Sequence, residues 1–152
     1  MVRGQEGFTL LEVLMVLVIG VLLVALTPPL LSGMSGSTEL RGAARQLAAG
    51  LRNARNQAVT GQQEAILLLD LAGHRFAVSG DSREVALPGS VALHLYTAQS
   101  ELLDREKGSI RFFPDGSSTG GAITVSGPKR AYRVNVDWLT GGIAIIEQEA
   151  RP

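Results

Sequence analysis

The chain of 152 residues has no cysteine. This excludes a disulfide framework and any thiolate-held metal centre, so its folded part must hold together by packing alone. It also lacks net charge, because fourteen Lys and Arg balance fourteen Asp and Glu. No overall field therefore favours nucleic acid or an acidic surface. Histidine is scarce too: His74 and His94 stand apart, with no carboxylate at ligand spacing. Surface or turn positions suit them better than a metal site, and no cofactor is expected.

One feature is present in excess. After Gly7-Phe8-Thr9-Leu10-Leu11-Glu12, apolar residues run from Val13 to Leu26, broken only by Gly20. As helix, Phe8–Leu26 spans roughly 28 Å, close to the roughly 30 Å of a bilayer core. A buried helix of a soluble protein is seldom apolar all round. A secretory signal needs a basic start, a shorter run and a small-x-small cut site after it. Val24-Ala25-Leu26-Thr27 offers no such site, and Arg3 is offset by Glu6. Within such a run Glu12 stands out, since an unpaired carboxylate in a membrane helix costs roughly 2.5–3.5 kcal/mol or more. The nearest partner is an amine freed by cutting after Gly7. Phe8 and Glu12 are four residues apart and share a helix face.

This N-terminal pattern resembles the type III signal sequence of type IV pilins and type II secretion pseudopilins. The resemblance implies a leader, 1–7, cut by a prepilin peptidase between Gly7 and Phe8. It implies N-methylation of Phe8 and a role for Glu12 in filament assembly. The apolar run then survives as an anchor, 8–31, crossing the bacterial inner membrane once.

Beyond the anchor, Thr27-Pro28-Pro29 predicts a kink, and Ser32-Gly33-Met34-Ser35-Gly36-Ser37 predicts a loosened stretch. Leu40, Ala44, Leu47, Leu51, Ala54 and Ala58 then repeat at spacings of four and three. They form one stripe of an amphipathic helix, the last part of an extension covering 32–61. Arg41, Arg45, Arg52 and Arg55 lie off the stripe, as a solvated face would. Gly61 is the C-cap candidate.

From Glu64 the period becomes strand-like. Candidate strands are Ala65–Leu69, Arg75–Ser79, Val91–Tyr96, Ile110–Phe113, Ile123–Ser126, Tyr132–Asp137 and Ile143–Glu147, punctuated by glycine and proline. With no helical pattern between them they should pair mainly antiparallel. The fold class is α+β: a long N-terminal helix packed on antiparallel sheets, with a β-rich globular domain over 62–152. Thr97–Gly108, rich in charge, reads as an exposed loop. Trp138, at a strand end, reads as an edge-of-core aromatic rather than a partner anchor.

Gly116-Ser117-Ser118-Thr119-Gly120 matches the letters of a nucleophile elbow. That elbow needs a helix after the serine and a histidine downstream; here a strand follows and both histidines lie upstream. No phosphate loop fits either, since no Lys follows the glycines. A Gly/Ser turn between two strands is the better reading, and no catalytic residue is expected.

Phe112-Phe113-Pro114-Asp115-Gly116-Ser117-Ser118-Thr119-Gly120-Gly121, then Tyr132-Arg133-Val134-Asn135-Val136 and Leu139-Thr140-Gly141, resemble the globular domain of H-type minor pseudopilins, the GspH/FimT group. This resemblance implies a structural subunit near the tip of the type II secretion pseudopilus, with its C-terminal domain in the periplasm. The implied partners are other minor and major pseudopilins, the prepilin peptidase and inner-membrane lipid, and no nucleic acid. The alternative is a minor type IV pilin of pilus assembly or DNA uptake. DNA-binding relatives carry an Arg-rich end after the final Thr-Gly turn. Here Gly142-Ile143-Ala144-Ile145-Ile146-Glu147 stands there, and phosphate contacts need Lys or Arg.

Overall fold

A computed structural model describes residues 9–104 and 106–150, as backbone only over 24–35. The chain divides into two compact units, Met1–Ser35 and Gly36–Pro152. Helix α1, Leu10–Gly61, contributes to both.

In the first unit the helix starts on a sequence-encoded cap. The Glu12 amide donates to the Thr9 carbonyl at 3.0 Å and to Thr9 Oγ1 at 3.3 Å. Thr9-Leu10-Leu11-Glu12 has the Thr-x-x-Glu order of a capping box. Every large apolar side chain from Leu10 to Leu23 is exposed, from 51% at Val13 to 87% at Leu10. Among the described residues no helix is long and apolar enough to cross a membrane. The described part of the apolar run, 10–23, amounts to about 21 Å of helix, short of a bilayer core.

The loosened stretch predicted at Ser32–Ser37 is helical, and α1 continues through Pro28-Pro29. Helix formation is cooperative, and long flanking segments carry a few poor formers with them. The division between the two units still falls inside that stretch, at Ser35/Gly36.

In the second unit α1 buries Leu40, Ala44, Leu47, Leu51, Ala54 and Ala58, as the stripe predicts, and adds Ala43 and Ala48. None is more than 4% exposed. The preponderance of alanine lets the helix sit close to the sheets. At Gly50 the approach is closest: a Cβ there would come within 2.4 Å of the Phe76 ring.

Two four-stranded antiparallel sheets receive this stripe. The first has the order β3-β2-β1-β5, from β1 (Ala65–Asp70), β2 (Arg75–Val78), β3 (Glu84–Ala86) and β5 (Lys107–Phe112). The second has the order β4-β6-β7-β8, from β4 (Ala92–Thr97), β6 (Gly121–Ser126), β7 (Arg130–Val136) and β8 (Ile143–Glu149). Alternation decides the inward faces: Ala65, Leu67 and Leu69 on β1, and Tyr132, Val134 and Val136 on β7, are buried. Together with Ile110, Phe112, Ile123 and Val125 they close one core over the helix.

Three further points depart from the sequence reading. Strand β3 goes unforeseen, because three residues, Glu84-Val85-Ala86, are too short to show a period. Thr97–Gly108 is not simply an exposed loop: it holds a short 3-10 helix, Gln99–Glu101, and its last residues open β5. Glu101 is 5% exposed there. Its carboxylate accepts from Arg111 Nε at 3.0 Å and from the Ser109 hydroxyl, which is how a charge survives burial. Trp138 is 66% exposed and not at the edge of the core. The Asp137 carboxylate starts a turn just before it, which carries the indole out of the strand.

Candidate functional site

Of the N-terminal positions singled out, Gly7 and Phe8 lie outside the described residues. Glu12 is exposed in the first turn of α1. A carboxylate there faces the unsatisfied amides of a helix start, a favourable place for negative charge. The segment offers one acid, one cap and a surrounding surface of exposed apolar side chains.

A second cluster lies in the globular unit, and it is built from the motifs that carry the resemblance. The turn after β5 is fixed by Asp115, whose Oδ1 accepts from the Ser117 amide at 2.9 Å and its hydroxyl at 2.6 Å. The turn between β7 and β8 is fixed by Asp137, whose Oδ1 accepts from the Leu139 amide at 3.1 Å and from the Thr140 amide and hydroxyl, both at 2.8 Å. These bonds hold both carboxyls below their usual range. The leading cause is the Ser117 hydroxyl for Asp115 and the Thr140 amide for Asp137.

Arg55 joins the two turns to the helix. Its Nε donates to the Gly116 carbonyl at 3.2 Å and its Nη2 to the Thr140 carbonyl at 3.0 Å. The turns also touch directly: the Ser118 amide donates to the Trp138 carbonyl at 2.9 Å. Gly141 has φ +61°, and a Cβ on it would lie 2.1 Å from the Gly116 oxygen. No side chain fits there, so glycine is required both by backbone conformation and by space.

Arg55 is therefore not part of a solvated face, as its spacing with Arg41, Arg45 and Arg52 suggested. It lies at the end of the row, where the sheet turns reach the helix. A sequence signal was available in the two Asp-led, Gly-ended turns, but nothing in it says which arginine they meet. Arg41, Arg45 and Arg52 are exposed, as expected.

The Gly-x-Ser-x-Gly letters fall in the first of these turns. The Ser118 hydroxyl donates to the Arg111 carbonyl at 2.7 Å and accepts from the Gly120 amide at 3.1 Å, which occupies it structurally. His74 takes a left-handed turn position, with Nδ1 3.2 Å from the Pro88 carbonyl. His94 is exposed on β4. Among the described residues no three His, Asp or Glu side chains gather as metal ligands.

A long helix that starts on an acid-bearing apolar segment and ends on two antiparallel sheets defines a pilin-like protein. Solved structures share this fold. The minor pseudopilin EpsH of the Vibrio cholerae type 2 secretion system matches with TM-score 0.57 at 13% identity, over 71% of this chain and 96% of that one. The type IV minor pilin FimU of Pseudomonas aeruginosa matches with TM-score 0.55 at 17% identity, over 74% of this chain and 92% of that one. Fold alone does not separate secretion from pilus subunits.

Sequence does. The chain matches the family described as type II transport protein GspH over residues 43–141, and the prokaryotic N-terminal methylation motif over residues 2–27. The type II secretion system protein H of Xanthomonas campestris pv. campestris is 33% identical over 141 residues, which is 93% of this chain and 83% of that protein. The chain belongs to the GspH family: it is an H-type minor pseudopilin of type II secretion.

Proposed function

We propose that this subunit is made as a precursor, cut between Gly7 and Phe8 and methylated on the new Phe8 amine. It then rests in the inner membrane as a single span, with residues 62–152 in the periplasm. From there it enters the pseudopilus near its tip and helps to drive folded proteins across the outer membrane. The role is structural, with other minor and major pseudopilins as neighbours, and it involves no catalysis.

The observation that carries this reading is the apolar surface of α1 over 10–23, which is exposed on all sides. A patch of that extent does not stay in water; it marks a lipid or protein contact. It begins immediately after the Gly7-Phe8 junction and carries one carboxylate. In low dielectric Glu12 offsets a Phe8 amine of an adjacent subunit. The methylation-motif match over 2–27 supports the same reading.

Mass spectrometry of the mature protein tests it, with Phe8 expected first and N-methylated. A mature chain starting at Met1, or beyond Leu26, sinks the proposal. Glu12→Ala should insert and be cut, yet co-isolate poorly with the other pseudopilins. Deleting the gene should stop secretion of folded substrates while twitching and DNA uptake continue. The reverse pattern moves the protein to a pilus.

A further inference from the structure

Strand β8 is the last strand of its sheet, and among the described residues no strand pairs with its outer side. Which backbone groups face that side follows from the register. The Asp137 amide donates to the Gly142 carbonyl and the Ala150 amide to the Lys129 carbonyl. Both pairs continue the β7–β8 register, in which Val136 faces Ile143 and Arg130 faces Glu149. Antiparallel ladders alternate, so the even positions of β8 bond to β7. Ile143, Ile145, Glu147 and Glu149 turn their amides and carbonyls to the open side.

The open edge adjoins the basic flank of α1. A cleft of about 290 Å³ is lined by Arg41 and Arg45 from the helix and by Tyr132, Ile145 and Glu147 from the sheet. The Glu147 carboxylate in this cleft pairs with Arg130 at 2.8 Å and makes no ion pair with either helix arginine. Among the described residues neither Arg41 nor Arg45 has an ion-pair partner. On an ideal helix Arg41 and Arg45 lie about 6 Å apart along the axis, and alternate residues of a strand lie about 6.6 Å apart. Two acids at alternate positions of an added strand therefore match the two arginines in spacing.

We propose that the β8 edge takes up an extended acidic segment of a neighbouring subunit as a fifth strand, its alternate Asp or Glu side chains set against Arg41 and Arg45. Main-chain bonds to Ile145 and Glu147 supply the affinity, and the arginines select for acid, the usual division of labour in strand addition. The inference rests on the pseudopilus reading only for the identity of the partner.

The test uses the full chain in detergent micelles. The probes are a fluorescent nine-residue peptide alternating Glu and Val, and a control alternating Gln and Val. At low ionic strength the acidic peptide should bind about tenfold more tightly than the control, as two exposed ion pairs allow. Changing Arg41→Gln with Arg45→Gln should erase that preference and leave the melting temperature in place. Hydrogen exchange should slow at the Ile145 and Glu147 amides when the peptide is added. Equal affinity for the two peptides, a preference that survives the arginine changes, or unprotected Ile145 and Glu147 amides overturns the proposal. Displacement of the peptide by duplex DNA overturns it as well. A chain that co-isolates with pseudopilins but fails these tests sinks strand docking alone. One that does not co-isolate sinks the functional reading beneath it.

Discussion

Over 10–23 the apolar side chains of α1 are exposed on every side, whereas over 40–58 the same helix buries one stripe and exposes the rest. The first stretch is built from Leu, Val and Ile, and the second places Ala at most buried positions. The difference reflects what each must meet. Large side chains all round suit a surrounding of lipid or other helices, which need not approach closely. Small ones on one face suit sheets that must lie against the helix backbone, as Gly50 does beneath Phe76. Hydrophobicity alone does not distinguish these fates; its angular distribution and side-chain size do.

Reversing polarity in each half breaks the comparison most sharply. Leu47 is fully buried, so Leu47→Asp places an unpaired charge in the core and should unfold the globular unit. Leu17→Asp, in the exposed stretch, should leave that unit's near-ultraviolet circular dichroism and melting intact and impair membrane insertion. If Leu47→Asp melts like the parent, the stripe serves other subunits rather than its own sheets.

Gly141→Ala comes next. It forces a side chain onto φ +61° and against the Gly116 oxygen, and should cost about 1–3 kcal/mol by chemical denaturation. Arg55→Ala removes two bonds to turn carbonyls and should cost about 1–2 kcal/mol. Arg52→Ala, in the same row but exposed, should change stability by less than about 0.5 kcal/mol. Equal losses at Arg55 and Arg52 would mean that the two turns do not depend on the arginine between them.

The smallest effect expected is an acid limb. Asp115 and Asp137 have folded pKa values below their unfolded ones, held down chiefly by the Ser117 hydroxyl and the Thr140 amide. Such groups contribute stability above the unfolded value, near pH 3.9, and lose it as pH falls through the lower folded value. Melting temperature should therefore decline below about pH 4. Asp115→Asn with Asp137→Asn should flatten that decline. An unchanged acid limb in the double variant assigns it to other carboxylates.

Much of this architecture was legible because period and punctuation were strong. The helix stripe from Leu40 to Ala58 and seven of the eight strands among the described residues follow from apolar spacing. The details that escaped depend on contacts distant in sequence. Arg55 meets Gly116 and Thr140 across separations of 61 and 85 residues. Glu101 is buried because Arg111 and Ser109 happen to face it. Trp138 points outward because Asp137 closes a turn one residue earlier than the strand pattern suggests. Spacing within one segment carries no information about such meetings. The Gly7-Phe8 junction and Glu12, by contrast, stand out from sequence alone, because a lone acid in an apolar run has few physical justifications.

The buried stripe also has a mechanical consequence. From Leu40 to Ala58 it extends about 27 Å along the helix axis. A push or pull delivered along α1 loads its contacts with the sheets in parallel, as shear, so that none yields before the others share the load. Arg55, near the far end of the stripe, adds two polar ties to sheet turns at the place where such a load leaves the helix. In the proposed filament role such a subunit obtains strength without a covalent cross-link, from contact length and direction, even where its equilibrium stability is ordinary.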